Sequence, residues 1–411
     1  MLAGTFNGRA AVGWAASPCV ECHSEVTPGV VSDWEVSRHS EIGVDCAVCH
    51  GREHATAEDV GEVRIPTPET CATCHAGRVE QFRSGKHAFA WAAMKAMPTT
   101  HWAPMALTEG MKGCGGCHKI GLKTEEEIAA LKESGAGFGL ASCDACHTRH
   151  IFSVTEARQP QACQTCHMGF DHPQWEMYSA SKHGVRFLLR QNGTLPEDVA
   201  APTCQTCHMQ DGDHAVRTGW GFLAVRLPLP DDEQWAADRV TILQALGVLD
   251  PEGNPTGRLE VVKAADVARL TQEDWEAERN EMVAVCGDCH SENFARAELE
   301  KGDEMIRETD HLLAEAIRTV IALYEDGILE QPDYYSYPYP DLLTFHDAPT
   351  AIEQKLFVMH LEHRMRAFQG VFHANPDYAL WYGWSEMVRD LQEIREMAEE
   401  LRRHREHHGS R

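Results

Sequence analysis

The chain has 411 residues and a formal charge of -26, from 37 Lys and Arg against 63 Asp and Glu. A surface of that sign disfavours nucleic acid and anionic membranes, and suits a basic protein partner or a small solute. No run of eighteen apolar residues occurs, so no segment is expected to span a membrane as a helix.

All sixteen cysteines fall in Cys-x-x-Cys-His motifs. In chain order these are Cys19-Cys22-His23, Cys46-Cys49-His50, Cys71-Cys74-His75, Cys114-Cys117-His118, Cys143-Cys146-His147, Cys163-Cys166-His167, Cys204-Cys207-His208 and Cys286-Cys289-His290. The spacing lets two thiols add across the vinyl groups of one haem while the adjacent imidazole reaches the iron. Zinc sites use two cysteine pairs per ion and need no histidine after each. Disulfides do not impose a two-residue gap eight times over. The motifs therefore imply eight haems c, each with its motif histidine as proximal ligand. Such attachment takes place outside the cytoplasm, so a periplasmic or extracellular location is expected. The opening residues lack the charged and apolar regions of a leader, which implies that an export signal has been removed.

Residues 1–217 carry seven motifs joined by short loops and helices, without a period-2 strand series. Residues 218–300 form a connector with a Pro-rich turn over 227–232, helices predicted over 233–249 and 264–285, and the eighth motif. Residues 301–411 form a C-terminal helical region suited to oligomerisation. Its first helix is predicted over 291–326, with Leu299, Ile306, Leu313, Ile317 and Leu323 near helical spacing. A loop with Tyr334, Tyr335, Tyr337 and Tyr339 follows, then helices over 351–369 and 378–403 and a solvated His/Arg tail. The fold class is mainly α, a multihaem cytochrome c with a haem-packed core and long C-terminal helices. At about fifty residues per haem, the macrocycles must supply much of the buried apolar mass.

Sixteen further histidines are candidates for the second axial position of each iron. Two imidazoles make an electron carrier, whereas an iron lacking the second can bind substrate. Spacing alone does not decide between these.

Several segments beyond the motifs resemble the octahaem hydroxylamine oxidoreductases and their reductive relatives, over nearly the whole chain. They are Ser37-Arg38-His39, Cys143-Asp144-Ala145-Cys146-His147-Thr148-Arg149-His150, Asp171-His172 with Trp175-Glu176, and Ser181-Lys182-His183-Gly184. Cys289-His290-Ser291-Glu292-Asn293-Phe294-Ala295-Arg296 and His373-Ala374-Asn375-Pro376 with Gly383-Trp384 complete them. The resemblance implies distal ligands at His39, His54, His87, His150, His183, His214 and His373. It leaves the haem of Cys114, Cys117 and His118 with an open face, and sets His172 over that face without ligating it. It also implies a homotrimer packed through its C-terminal helices and a periplasmic redox partner. His101, His311, His346, His360 and His363 are left as structural or surface residues.

Oxidative members of that family share a tyrosine that cross-links to the catalytic haem of a neighbouring subunit. Here the corresponding stretch, Asp377-Tyr378-Ala379-Leu380-Trp381-Tyr382, is one residue shorter and puts Leu380 at that place, with Tyr378 and Tyr382 on either side. Gln161 stands where the oxidative pattern has an acidic residue, and an amide cannot take a proton as a carboxylate can. Both departures imply the reductive branch. The expected activity is reduction of nitrite or hydroxylamine to ammonium, with His118 beneath the open iron and His172 delivering protons. Oxidation of hydroxylamine or hydrazine is the alternative. A pure electron conduit is a further one, and needs an eighth distal ligand from His101, His172 or His311.

Overall fold

The structure, a computed structural model, describes residues 17–95, 114–133, 139–140, 142–169, 171–218, 225–226, 229–264, 268–269, 271–344 and 347–409. It is mainly α. The strand pairing described is two residues long, Val225–Arg226 parallel to Ala268–Arg269. No helix among the described residues is long and apolar enough to cross a membrane.

In the first half, helices are short because the chain must turn around each motif. Several motifs form a single helical turn, as in Cys46–His50, Cys114–His118 and Cys204–His208. Residues three and four apart then share a face, so both thiols and the imidazole point to one side. Caps fix these turns: Asp45 Oδ1 accepts the Val48 N–H at 3.2 Å, and Thr203 Oγ1 accepts that of Thr206 at 3.3 Å. The third motif lies inside α1 (Pro68–Arg83), which departs from helical geometry at His75 (φ -112°, ψ 37°).

Helices α2 (Gln174–Ala180) and α3 (Lys182–Gln191) meet at Ser181, whose Oγ donates to the Tyr178 carbonyl at 2.7 Å and accepts the Gly184 N–H at 3.2 Å. A Cβ on Gly184 would lie 2.0 Å from the Tyr178 carbonyl oxygen, so the corner requires glycine. The orientation of His183 is set by this turn.

Apolar residues are unevenly shared. Thirteen buried apolar residues lie before residue 218 and thirty-three after it, among those described. The second half is a helical bundle with a conventional core. Helix α4 (Glu233–Ala245) is capped by Asp232, which accepts the Trp235 N–H at 2.8 Å. It stops short of residue 249 because Gly247 turns the chain with φ +66°. The helix expected over 264–285 starts later: α5 (Gly257–Ala264) ends where it was expected to begin, and α6 (Gln272–Gly287) has its start set by Thr271 accepting the Asp274 N–H at 3.0 Å. Helix α7 (Glu292–Glu325) runs 34 residues behind its Ser291 cap and passes unbroken through residue 300, where a region boundary was expected. It buries Ile306, Leu313, Ile317, Val320 and Leu323 on one stripe.

The last two helical rods each contain a π-helical segment. Met359–Arg364 joins α8 (Ala351–Val358) to α9 (Met365–Phe372), and Ala379–Trp384 leads into α10 (Ser385–Gly409). The rods approach closely: a Cβ on Gly383 would lie 2.4 Å from the Ala367 amide nitrogen. Between α4, α7 and the first π segment, buried Asp310 accepts from Arg364 Nη2 at 2.7 Å, Arg239 Nη1 at 3.1 Å and Trp235 Nε1 at 2.9 Å.

Candidate functional site

Imidazoles face one another in seven pairs among the described residues. Centre to centre, His23 lies 6.1 Å from His54, His75 6.2 Å from His39, and His50 6.1 Å from His150. His167 lies 6.0 Å from His87, His147 6.3 Å from His214, His290 6.2 Å from His183, and His208 6.3 Å from His373. Two imidazoles on opposite sides of one metal, with bonds of about 2 Å and a further ~1 Å from nitrogen to ring centre, span roughly 6 Å. Each pair joins a motif histidine to one of the seven histidines expected as distal ligands. His118 has no such partner among the described residues.

The ring nitrogens are arranged for the same purpose. His118 Nδ1 bonds the Ala90 carbonyl at 2.8 Å, His208 Nδ1 that of Arg217 at 2.7 Å, and His50 Nδ1 that of Arg64 at 3.3 Å. Among the facing histidines, Nδ1 bonds the Gly212 carbonyl (His214, 2.8 Å), the Gln369 carbonyl (His373, 2.7 Å) and the Asp59 carboxylate (His54, 2.8 Å). An Nδ1–H so engaged leaves Nε2 with its lone pair free for a metal. Burial, then the facing ring, holds His373 down to about 4, and burial with His87 and His172 does the same for His167, so both stay neutral.

The thiols fit haem attachment as well. None of the fifteen cysteines whose side chains are described forms a disulfide. The thiols of Cys71 and Cys143 interact with each other, as do those of Cys163 and Cys204, bringing the third motif to the fifth and the sixth to the seventh. Burial pushes Cys146 up to about 12, with Cys163 and Cys166 adding to it, and Cys207 up to about 11, with Cys286 and Cys289 adding. The third, fifth, sixth, seventh and eighth motifs thus follow one another in space.

His172 is placed differently. Its ring meets His167 edge-on at 6.2 Å, and its Nδ1 bonds the Asp171 carboxylate. Burial opposes its charge, but the bond and charge of Asp171, then Cys166 and Glu176, outweigh burial and raise its pKa above the usual value. Gln161 opens the turn Gln161–Gln164 of the sixth motif, and its buried Oε1 has no hydrogen-bond partner. Glu176, quoted above only as part of a resembling segment, has a buried Oε2 in the same condition. The rings of Tyr378 and Tyr382 lie 4.8 Å apart, tilted by 35°, and Leu380 is 38% exposed.

His311 Nδ1 bonds Asp238 at 2.9 Å, and His363 Nδ1 bonds Asp390 at 2.5 Å. His360 is fully buried with neither nitrogen partnered. His101 and His346 lie outside the described residues.

Four relationships to known proteins accord with this geometry. A family model described as seven times multi-haem cytochrome CxxCH matches residues 15–224 and 258–333. The chain is 26% identical over 486 residues to a probable nitrite reductase-hydroxylamine oxidoreductase fusion protein of Kuenenia stuttgartiensis, covering 94% of this chain and 51% of that protein. It therefore spans about half the length of that curated relative. Among solved structures it is similar to the reducing HAO-like protein complex of Kuenenia stuttgartiensis, with TM-score 0.72 and 25% identity over 95% of this chain and 86% of that one. It also shares its fold with a hypothetical multihaem protein, with TM-score 0.63 and 20% identity over 94% of this chain and 95% of that one. With eight attachment motifs, facing imidazoles and a family match over well more than half its length, the chain belongs to the multihaem c-type cytochromes.

Proposed function

We propose that this chain is an exported octahaem oxidoreductase that reduces nitrite or hydroxylamine to ammonium at the haem of Cys114, Cys117 and His118. The observation that carries the reading is the inequality of the motif histidines. Seven face another imidazole across about 6 Å, and His118 faces none among the described residues.

On this reading His39, His54, His87, His150, His183, His214 and His373 are the distal ligands. When bound, the haems supply stored electrons and one open iron able to take a nitrogen lone pair. His172, kept charged by Asp171, gives protons to the departing oxygen. Gln161 offers an amide for hydrogen bonding at the site but takes no proton. Reduction is supported by Leu380 at the place of the family's cross-linking tyrosine, and by the reducing HAO-like relative. Oxidation of hydroxylamine or hydrazine is the second reading. It is favoured by one observation: Tyr382 is 55% exposed, where a neighbouring subunit could meet it.

A homotrimer fed by a basic periplasmic redox protein completes the proposal. The test is optical and kinetic. Denatured protein showing only ordinary haem c, with nitrite or hydroxylamine consumed by reduced viologen, supports reduction. A red-shifted ferrous band with hydroxylamine oxidation reverses the direction. A reduced protein that binds no carbon monoxide reduces the chain to an electron conduit.

A further inference from the structure

On the Nδ1 side of His118, two stretches of chain are locked together. His118 Nδ1 bonds the Ala90 carbonyl at 2.8 Å, and the Leu122 N–H donates to the Ala88 carbonyl at 2.9 Å. A Cβ on Gly121 would lie 2.1 Å from the Trp91 amide nitrogen, so the two backbones run in direct contact. Trp91 itself is 6% exposed and packs with Ile65, Leu131 and Leu140.

Lys123 closes this contact. Its Nζ lies 4.9 Å from the centre of the Trp91 ring. It donates to the Lys119 carbonyl and, at 2.8 Å, to the Gly121 carbonyl. One ammonium thus ties the turn after His118 to the residue after Ala90. Both hydrogen bonds go to carbonyls, and no carboxylate bonds Lys123 among the described residues. A half-buried cation is a costly way to cover an indole, since an apolar side chain would do so without desolvating a charge. Burial, then Lys119, holds its pKa down to about 8 against the pull of Asp144, so it is charged at neutral pH.

Two consequences follow for the iron that His118 would hold. The Ala90 carbonyl is fixed against the Nδ1–H, and that bond sets how strongly the imidazole gives electron density to a metal. A positive charge that no bonded carboxylate cancels, lying against an apolar cluster, favours the less positive of two iron states.

We propose that Lys123 is a positioning residue on the His118 side of the fourth haem, fixing the Ala90–His118 bond and raising that iron's reduction potential. The inference rests on the proposed open face of that haem, where a higher potential keeps the iron ferrous for substrate.

The test uses the haem-loaded protein and its Lys123→Met, Lys123→Gln and Lys123→Arg variants. Resonance Raman spectra of the ferrous protein read the iron–imidazole stretch, which a five-coordinate haem gives and a bis-imidazole haem does not. Optical redox titration reads the haem potentials. Lys123→Met should shift and broaden the stretch. It should also lower one potential by about tenfold in the ratio of reduced to oxidised haem, ~59 mV for one electron. Lys123→Gln keeps a donor without the charge, so the potential should fall while the stretch moves less. Lys123→Arg should restore most of both. Hydroxylamine turnover with reduced viologen should lose about 10-fold in kcat in Lys123→Met. An unmoved stretch with unmoved potentials in Lys123→Met would overturn the inference. If the wild type gives no such stretch and binds no carbon monoxide, the open face fails, and the potentials still decide the role of Lys123. If Lys123→Met does not load haem, Lys123→Gln decides it, and unmoved potentials there overturn it.

Discussion

Ala90 accepts the Nδ1–H of His118 at 2.8 Å, three residues after His87, whose ring lies 6.0 Å from that of His167. One short stretch, the turn Lys86–Phe89 and the residue after it, therefore serves both the fourth and the sixth motif. Replacing His87 by glycine should free a second axial position while leaving His118 held by the Ala90 carbonyl. Carbon monoxide titration of the reduced protein should rise from one molecule per chain to two.

The proton donor can be tested through its partner. His172 has its pKa raised mainly by Asp171, against burial, and so stays protonated to higher pH than a free imidazole. In Asp171→Asn, burial acts unopposed by that charge and the His172 pKa falls. The alkaline limb of the kcat–pH profile should then move to lower pH. His172→Gln should lose about 10²- to 10⁴-fold at every pH, and steady-state kinetics across the pH range distinguishes the two.

Much of this site was legible because covalent haem attachment demands a local spacing, and a local spacing survives in one dimension. The seven histidines that face motif histidines were legible only through segments such as Ser181-Lys182-His183-Gly184, whose glycine the α2–α3 corner requires. What spacing could not supply is pairing: His373 meets His208, and His150 meets His50, across long stretches of chain. Nor did helical periodicity reveal that α6 starts only at Gln272, where the Thr271 hydroxyl caps it. The empty lone pairs of Glu176 and Gln161 are tertiary facts, since nothing near either residue in sequence marks it as unpartnered.

His360 offers a stability test independent of haem chemistry. Burial, with Arg364 adding to it, lowers its pKa to about 3, and neither nitrogen has a partner. Its unfolded value is about 6.5, so between these two pH values the unfolded chain binds the extra proton. Stability should therefore fall as pH drops from 6.5 towards 3. His360→Leu removes both orphan nitrogens and should be neutral or stabilising, by about 1–3 kcal/mol. Its Tm should also depend less on pH across that window.

Asp310 gives the opposite expectation. It is fully buried and bonded by Arg364, Arg239 and Trp235. Asp310→Ala leaves two buried guanidinium groups without this carboxylate and should cost about 3–5 kcal/mol. Denaturant unfolding of the C-terminal helices, followed by circular dichroism, should show the earlier midpoint.

The lopsided share of apolar residues bears on how the molecule matures. Among the described residues, the bundle after residue 218 holds most of the buried apolar side chains, and on that ground it should collapse more readily than the seven-motif half. Biogenesis should thus run against the order of synthesis: the amino-terminal half emerges first yet waits, pliant, for its porphyrins. A cell starved of haem should accumulate a species with a settled carboxyl-terminal bundle and a protease-sensitive front.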